Sequence, residues 1–304
     1  MAGPTKGNGG RKPRCFAPLD PSAQHGQDLP KLKGVIFDMD GTLCLPQNYM
    51  FQEMRAALGI PRSVDILDHI RSLSNEPDAA SSNTEQNGGP HSTINSSEPP
   101  SEEILSHSTF IADPTPSSPQ ARAVAKIQAI ERRAMTSQRP QPGLQELMAH
   151  LTRRGVRKAL CTRNFPAPVH HLLSNHLPGE KFEPIITRET GGVKPKPSPE
   201  GLWMIAQAWG LDREIHGGLE NLNSTAKSTR LDPLELAKRY LGSGLIMVGD
   251  SIDDMAAGHR AGAATVLLAN DENEELAKHE YTSLSIRRLD ELIDILERGF
   301  VENK

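Results

Sequence analysis

Short apolar runs alternate with longer amphipathic ones along this chain. Gly34, Val35, Ile36 and Phe37 form one short run, which ends on Asp38. Residues 157–162, 183–187, 244–248 and 264–269 have the same character. An unbroken apolar run bounded by turn residues predicts a buried strand. Between these runs the apolar residues recur at helical spacing. Helices are expected over 48–59, 63–73, 121–135, 144–153, 166–177, 200–209, 233–240, 255–261 and 286–297. In 121–135, for example, Val124, Ile127, Ile130 and Met135 are apolar with charges between them, which makes one face of an amphipathic helix. Strands alternating with helices imply βαβ units and a parallel sheet.

Two stretches break the pattern. Residues 74–119 hold no Lys or Arg and are dominated by Ser, Pro, Asn, Gly and Glu. Such a segment cannot bury enough surface to offset its ordering entropy, so it is expected to be a disordered insertion. Residues 213–232 form a second polar insertion, and residues 1–32 a flexible N-terminal arm. The α/β core is therefore assigned to 33–47 and 140–304. The helical material at 48–139, too long for a simple crossover, is expected to be a small cap carrying the 74–119 insertion.

Composition narrows the classes. Only 36% of the 304 residues are apolar, and the mean hydropathy is −0.48, as expected if much of the chain lies outside a core. The net charge of −4 and pI of about 6.3 argue against a nucleic-acid partner, which usually shows as a basic face. No apolar run approaches the ~18 residues that span a bilayer, so no membrane partner is expected. Cys15, Cys44 and Cys161 lack metal-type spacing and fit a reducing compartment. Cys161 reads as a buried small hydrophobe. A cytoplasmic location is expected. The alternative is mitochondrial import, suggested by Lys6, Arg11, Lys12 and Arg14 ahead of the first acid, Asp20. Nothing specifies an oligomer, and a monomer is the expectation.

The candidate chemistry sits at the strand ends, where ligands of open α/β sheets bind. The first strand delivers Asp38 and Asp40, followed by Gly41 and Thr42. The second delivers Thr162, Arg163 and Asn164, and the fourth delivers Asp250, Ser251, Asp253 and Asp254. A proline-rich turn after the third offers Lys194 and Lys196. Carboxylates this crowded repel one another, and a hard cation such as Mg²⁺ relieves that, commonly with substrate phosphate among its ligands. An unprotonated Asp38 can attack phosphorus, and Asp40 can carry a proton to the leaving alcohol.

These residues resemble the haloacid dehalogenase-like hydrolase superfamily, in its phosphatase branch. Its motifs occur in order: D-x-D-G-T from Asp38 to Thr42, an apolar strand ending at Thr162, a lysine in a K-P-x-P turn, and G-D-S-x-x-D from Gly249 to Asp254. The resemblance implies a Rossmann-like core with helices on both faces and a small helical cap. It implies Asp38 as nucleophile, Asp40 as acid/base and Thr162 as phosphate-binding, with Arg163 and Asn164 alongside. It also implies Mg²⁺ on Asp38, the Asp40 carbonyl and Asp250, with Asp254, Ser251, Gly41 and Thr42 in support. Counting back from Glu200-Gly201-Leu202 selects Lys196, with Lys194 as the alternative, and the S-x-x-D spacing favours Asp254 over Asp253. Asp40 argues for a phosphatase over a dehalogenase, which needs no leaving-group acid. The expected activity is Mg²⁺-dependent hydrolysis of a small phosphorylated metabolite through an aspartyl-phosphate. The alternatives are a phosphomutase of the β-phosphoglucomutase type and a non-catalytic phosphate-binding scaffold.

Overall fold

The computed structural model of the protein describes residues 14–75, 118–211 and 244–302. In chain order the first elements are β1 (Cys15–Phe16), β2 (Gly34–Phe37), α1 (Asn48–Leu58), α2 (Ile66–Ser72), α3 (Pro119–Met135) and α4 (Leu144–Arg153). Then come β3 (Arg157–Cys161), α5 (Pro166–His176), β4 (Ile185–Ile186), α6 (Glu200–Ala208), β5 (Leu245–Gly249) and α7 (Ile252–Ala261). The last are β6 (Ala264–Leu268), β7 (Leu284–Ile286), α8 (Glu291–Arg298) and β8 (Phe300–Val301). The chain divides into two compact units, one spanning Tyr49–Ile130 and the other holding the residues up to Asn48 and from Glu131 onward.

The larger unit is built on a six-stranded sheet in the order β4-β3-β2-β5-β6-β7, with every neighbouring pair parallel. All four residues of β2 are buried, as a central strand covered on both faces requires. Its side chains alternate between two cores. Val35 and Phe37 pack with Leu147, Leu151, Leu172 and Leu292, so α4, α5 and α8 cover one face. Ile36 packs with Leu202, Ile205 and Ala257, so α6 and α7 cover the other. This is the Rossmann-like α/β core that the alternation predicts.

In the smaller unit, α2 starts where Asp65 caps it, accepting from the N–H of Leu67 at 2.9 Å and of Asp68 at 3.0 Å. Gln120 of α3 donates to the Ile70 carbonyl at 3.2 Å, and Lys126 donates to that of Ala57 at 3.2 Å. Among the described residues, no helix is long and apolar enough to cross a membrane.

Three expectations are corrected. Residues 14–32 are not an arm: β1 pairs antiparallel with β8, Phe16 is buried and stacks on Phe300 at 5.6 Å, and Leu19 N–H donates to Leu296 O at 2.8 Å. Ile286 does not open the last helix but ends β7, a sixth core strand, and α8 begins at Glu291. The third predicted strand, 183–187, shortens to Ile185–Ile186. Pro184 has no N–H to give, and Thr187 N–H turns to the Thr190 hydroxyl at 2.9 Å. The rest of the arm, nearly all of the 74–119 insertion, all of the 213–232 insertion and the predicted helix at 233–240 lie outside the described residues.

Candidate active site

Sheet register brings the strand ends together. Phe37 is level with Leu160 of β3 and Val248 of β5, so Asp38 leaves the sheet beside Cys161-Thr162 and Gly249-Asp250. Asp38 N–H still bonds Val248 O at 3.0 Å, which fixes where its side chain starts. At Gly41 the backbone takes φ +80°, and a Cβ there would fall inside the Asp250 carboxylate. Only glycine lets the turn after β2 approach Asp250 this closely. Thr42 Oγ1 donates to Asp250 Oδ1 at 3.4 Å.

The proline-rich turn delivers one lysine and not the other. Lys196 is buried, and its Nζ donates to Asp38 Oδ1 at 2.5 Å and Asp254 Oδ1 at 2.6 Å. Lys194 points outward with an 80% exposed side chain, and its nearest acid is Glu200 at 3.5 Å. The pair at 253–254 divides in the same way. Asp254 is buried at the start of α7, where its Oδ2 accepts from the Ser251 hydroxyl at 2.6 Å and N–H at 3.1 Å in a capping box. Asp253 instead pairs with Arg163 at 2.8 Å.

Asp40 is held from both sides. Asn164 Nδ2 donates to its Oδ2 at 2.7 Å and the Cys44 thiol to its Oδ1 at 3.4 Å. Thr162 is buried, and its Oγ1 accepts from Asn164 N–H at 3.2 Å. Thus Asp38, Asp40, Thr162, Asn164, Lys196, Asp250 and Asp254 converge, while Lys194 stays outside and Arg163 is turned to Asp253.

Electrostatics follow from crowding. Burial raises the Asp38 carboxyl to about 7; Lys196 opposes this, and Asp254 and Asp40 add to it. Burial and then the charges of Asp254 and Asp38 push Asp250 well above the ordinary range. Asp40 is also raised by burial, against the hydrogen bonds from Asn164 and Cys44. Burial would depress the Lys196 ammonium, but Asp254 and Asp38 more than reverse it.

Carboxylate oxygens of Asp38, Asp250 and Asp254 lie within 4.8 Å of one another. Both oxygens of Asp254 are engaged, by Lys196 and by Ser251. Asp38 and Asp250 are therefore the side chains left to hold a cation. Three clustered carboxylates with one directly bonded ammonium form an oxygen-rich, electron-rich donor set that suits a hard divalent ion.

A family description of haloacid dehalogenase-like hydrolases matches residues 32–216. The chain belongs to the haloacid dehalogenase-like hydrolase family. A second description, of HAD-hydrolase-like proteins, matches residues 229–292. An uncharacterized hydrolase of Saccharomyces cerevisiae is 33% identical over 276 residues, 89% of this chain and 94% of the yeast protein. A haloacid dehalogenase-like hydrolase domain-containing protein of Arabidopsis thaliana is 27% identical over 288 residues, covering 89% and 86% of the two chains. Among solved structures, a hydrolase from Pseudomonas syringae shares the fold with a TM-score of 0.50, 18% identity and coverage of 87% and 98%. A putative phosphoglycolate phosphatase from Lactobacillus plantarum does so with a TM-score of 0.50, 14% identity and coverage of 87% and 99%.

Within this hydrolase, two charged residues near the site escape sequence reasoning. Glu131, on α3, is 1% exposed. Arg188 follows β4 and pairs with it at 3.1 Å. Burial raises Glu131 to about 7, and Arg188 opposes the shift. A signal existed for both. Glu131 stands four residues after Ile127, on the apolar stripe of its helix, and Arg188 lies at a strand end like the other site residues.

Proposed function

We propose that the protein is a Mg²⁺-dependent phosphatase that hydrolyses a small phosphomonoester through an aspartyl-phosphate on Asp38. The observation that carries this reading is the Asp38 carboxylate fastened by Lys196 at 2.5 Å, with a second carboxylate, Asp40, held by Asn164 at 2.7 Å on the same turn. Lys196 favours the ionised form of Asp38 against the effect of burial and aims it, so its oxygen can attack phosphorus. Asp40, whose protonated form burial favours, can deliver a proton to the leaving alcohol and take one from the water that attacks the acyl phosphate. Thr162 and backbone N–H groups at the strand ends supply donors for phosphate oxygens. Mg²⁺ held by Asp38, the Asp40 carbonyl and Asp250 would neutralise charge on the phosphoryl group.

A small phosphorylated metabolite fits the scale of the site. A cavity of about 300 Å³ opens beside Asp250 and Ser251, lined also by Asn48, Asn270 and Asn273. That lies at the small end of ligand pockets.

Purified protein with Mg²⁺ is expected to release p-nitrophenol from p-nitrophenyl phosphate. Asp38→Asn should lower kcat by on the order of 10⁴-fold or more. Equal turnover by the two proteins would overturn the mechanism. Oxygen from isotopically labelled water should appear in the released phosphate; its absence, with the phosphoryl group passed to a sugar, would make the protein a phosphomutase.

A further inference from the structure

We infer that Glu131 and Arg188 act as a positioning pair: they fasten the loop after β3 so that Asn164 keeps its grip on Asp40. The inference rests on the phosphatase reading for its consequence, and on geometry for its cause.

The loop of Arg163, Asn164 and Phe165 has its own backbone bonded at each residue by this pair. Glu131 Oε2 accepts from Phe165 N–H at 3.1 Å. Arg188 Nε donates to Arg163 O at 2.7 Å, and Arg188 N–H donates to Asn164 O at 3.0 Å. The Arg188 guanidinium lies over the Phe165 ring, 4.4 Å from its centroid. Glu131 and Arg188 are joined by their ion pair at 3.1 Å. Between these anchors the Asn164 amide points at Asp40 Oδ2.

Burial argues that the arrangement has a purpose. A buried ion pair is costly to desolvate, and an apolar pair of similar size would stabilise at least as well. The Arg188 Nη1 atom is buried without a hydrogen-bond partner among the described residues, a cost its position over the Phe165 ring offsets in part. What the ion pair supplies that an apolar pair could not is a directed donor to Arg163 O and a directed acceptor for Phe165 N–H, one on each side of Asn164. The residue they hold in place is the one that orients the proposed proton carrier.

A leaving-group comparison tests this. p-Nitrophenolate departs without a proton, whereas the alkoxide from 2-phosphoglycolate needs one. In Glu131→Ala, Glu131→Gln and Arg188→Met, kcat for 2-phosphoglycolate should fall about 10- to 100-fold and kcat for p-nitrophenyl phosphate less than about 3-fold, with Glu131→Gln the mildest. The Glu131→Ala/Arg188→Met double variant should be no worse than the poorer single one, because the two act as a unit. Equal losses on both substrates, or an undiminished alkyl reaction, would overturn the inference. If the wild-type protein hydrolyses neither compound, the phosphatase reading fails by itself and side-chain amide NMR decides the pair. The Asn164 Nδ2 resonance should then move and exchange faster in all three single variants. The Trp209 indole N–H, bonded to Glu183 O at 2.6 Å, should not. An unmoved Asn164 signal overturns the inference.

Discussion

Lys194 and Lys196 are two residues apart in one turn, yet only Lys196 is enclosed by carboxylates. Removing its ammonium leaves Asp38 and Asp254 buried without their shared cation. Lys196→Ala should therefore abolish the proposed phosphatase activity and cost about 3–5 kcal/mol of stability by chemical denaturation. Lys194→Ala should change stability by less than about 0.5 kcal/mol and leave turnover near wild type. A larger loss of turnover at Lys194 would reverse the assignment. Spacing from Glu200 pointed to the same lysine in the sequence, but spacing is a count along the chain, and what separates the two residues is the direction each side chain takes. Gly41 is a sharper case. Gly41→Ala needs both a left-handed backbone and space occupied by Asp250. It should cut kcat at least about 10-fold, measured beside a circular dichroism spectrum that stays native.

At the scale of elements, α4 was legible to the residue because a full apolar stripe ends in basic residues and Gly155. The ends of β2 and β5 were legible for a similar reason: the chemistry follows the apolar run within a few positions. The missed elements carry no such local record. β7 has three residues, and β1 and β8 have two each. The latter pair joins opposite ends of the chain, so no window of sequence contains both partners. Glu131 and Arg188 carry a local signal, an apolar stripe and a strand end, but a charge on a helix or in a loop reads as solvated until the distant partner is known. The consequence for stability is measurable. Phe16→Ala, on an element that the sequence leaves unmarked, should lower the denaturation free energy by about 3–5 kcal/mol, as much as truncation of a core phenylalanine elsewhere. Leu292→Ala on α8 should cost about 2–5 kcal/mol with kcat retained.

For the molecule as a whole, the clustered carboxylates couple stability to pH and to metal. Asp38, at about 7, and Asp250, raised well above its ordinary value, keep protons in the folded protein that the unfolded chain releases near pH ~4. Their contribution to stability is therefore complete below that pH and is lost as pH rises above it, for Asp38 through about 7. A divalent cation bound there would replace those protons. Thermal melts from about pH 5 to about pH 8 should show the gap between Mg²⁺-saturated and chelated protein widening with pH, reaching roughly 5 °C. A gap that stays constant would count against a cation on these carboxylates. The parallel sheet carries a further consequence, for synthesis. β2 is flanked by β3, which begins at Arg157, and β5, which begins at Leu245. The strand that carries Asp38 therefore leaves the ribosome before either neighbour, and one of its edges stays unpaired until β5 has followed. Contacts so distant in sequence slow folding. A nascent chain stalled before Leu245 should remain protease-sensitive around Val35–Phe37, and protection should appear only once β5 has emerged.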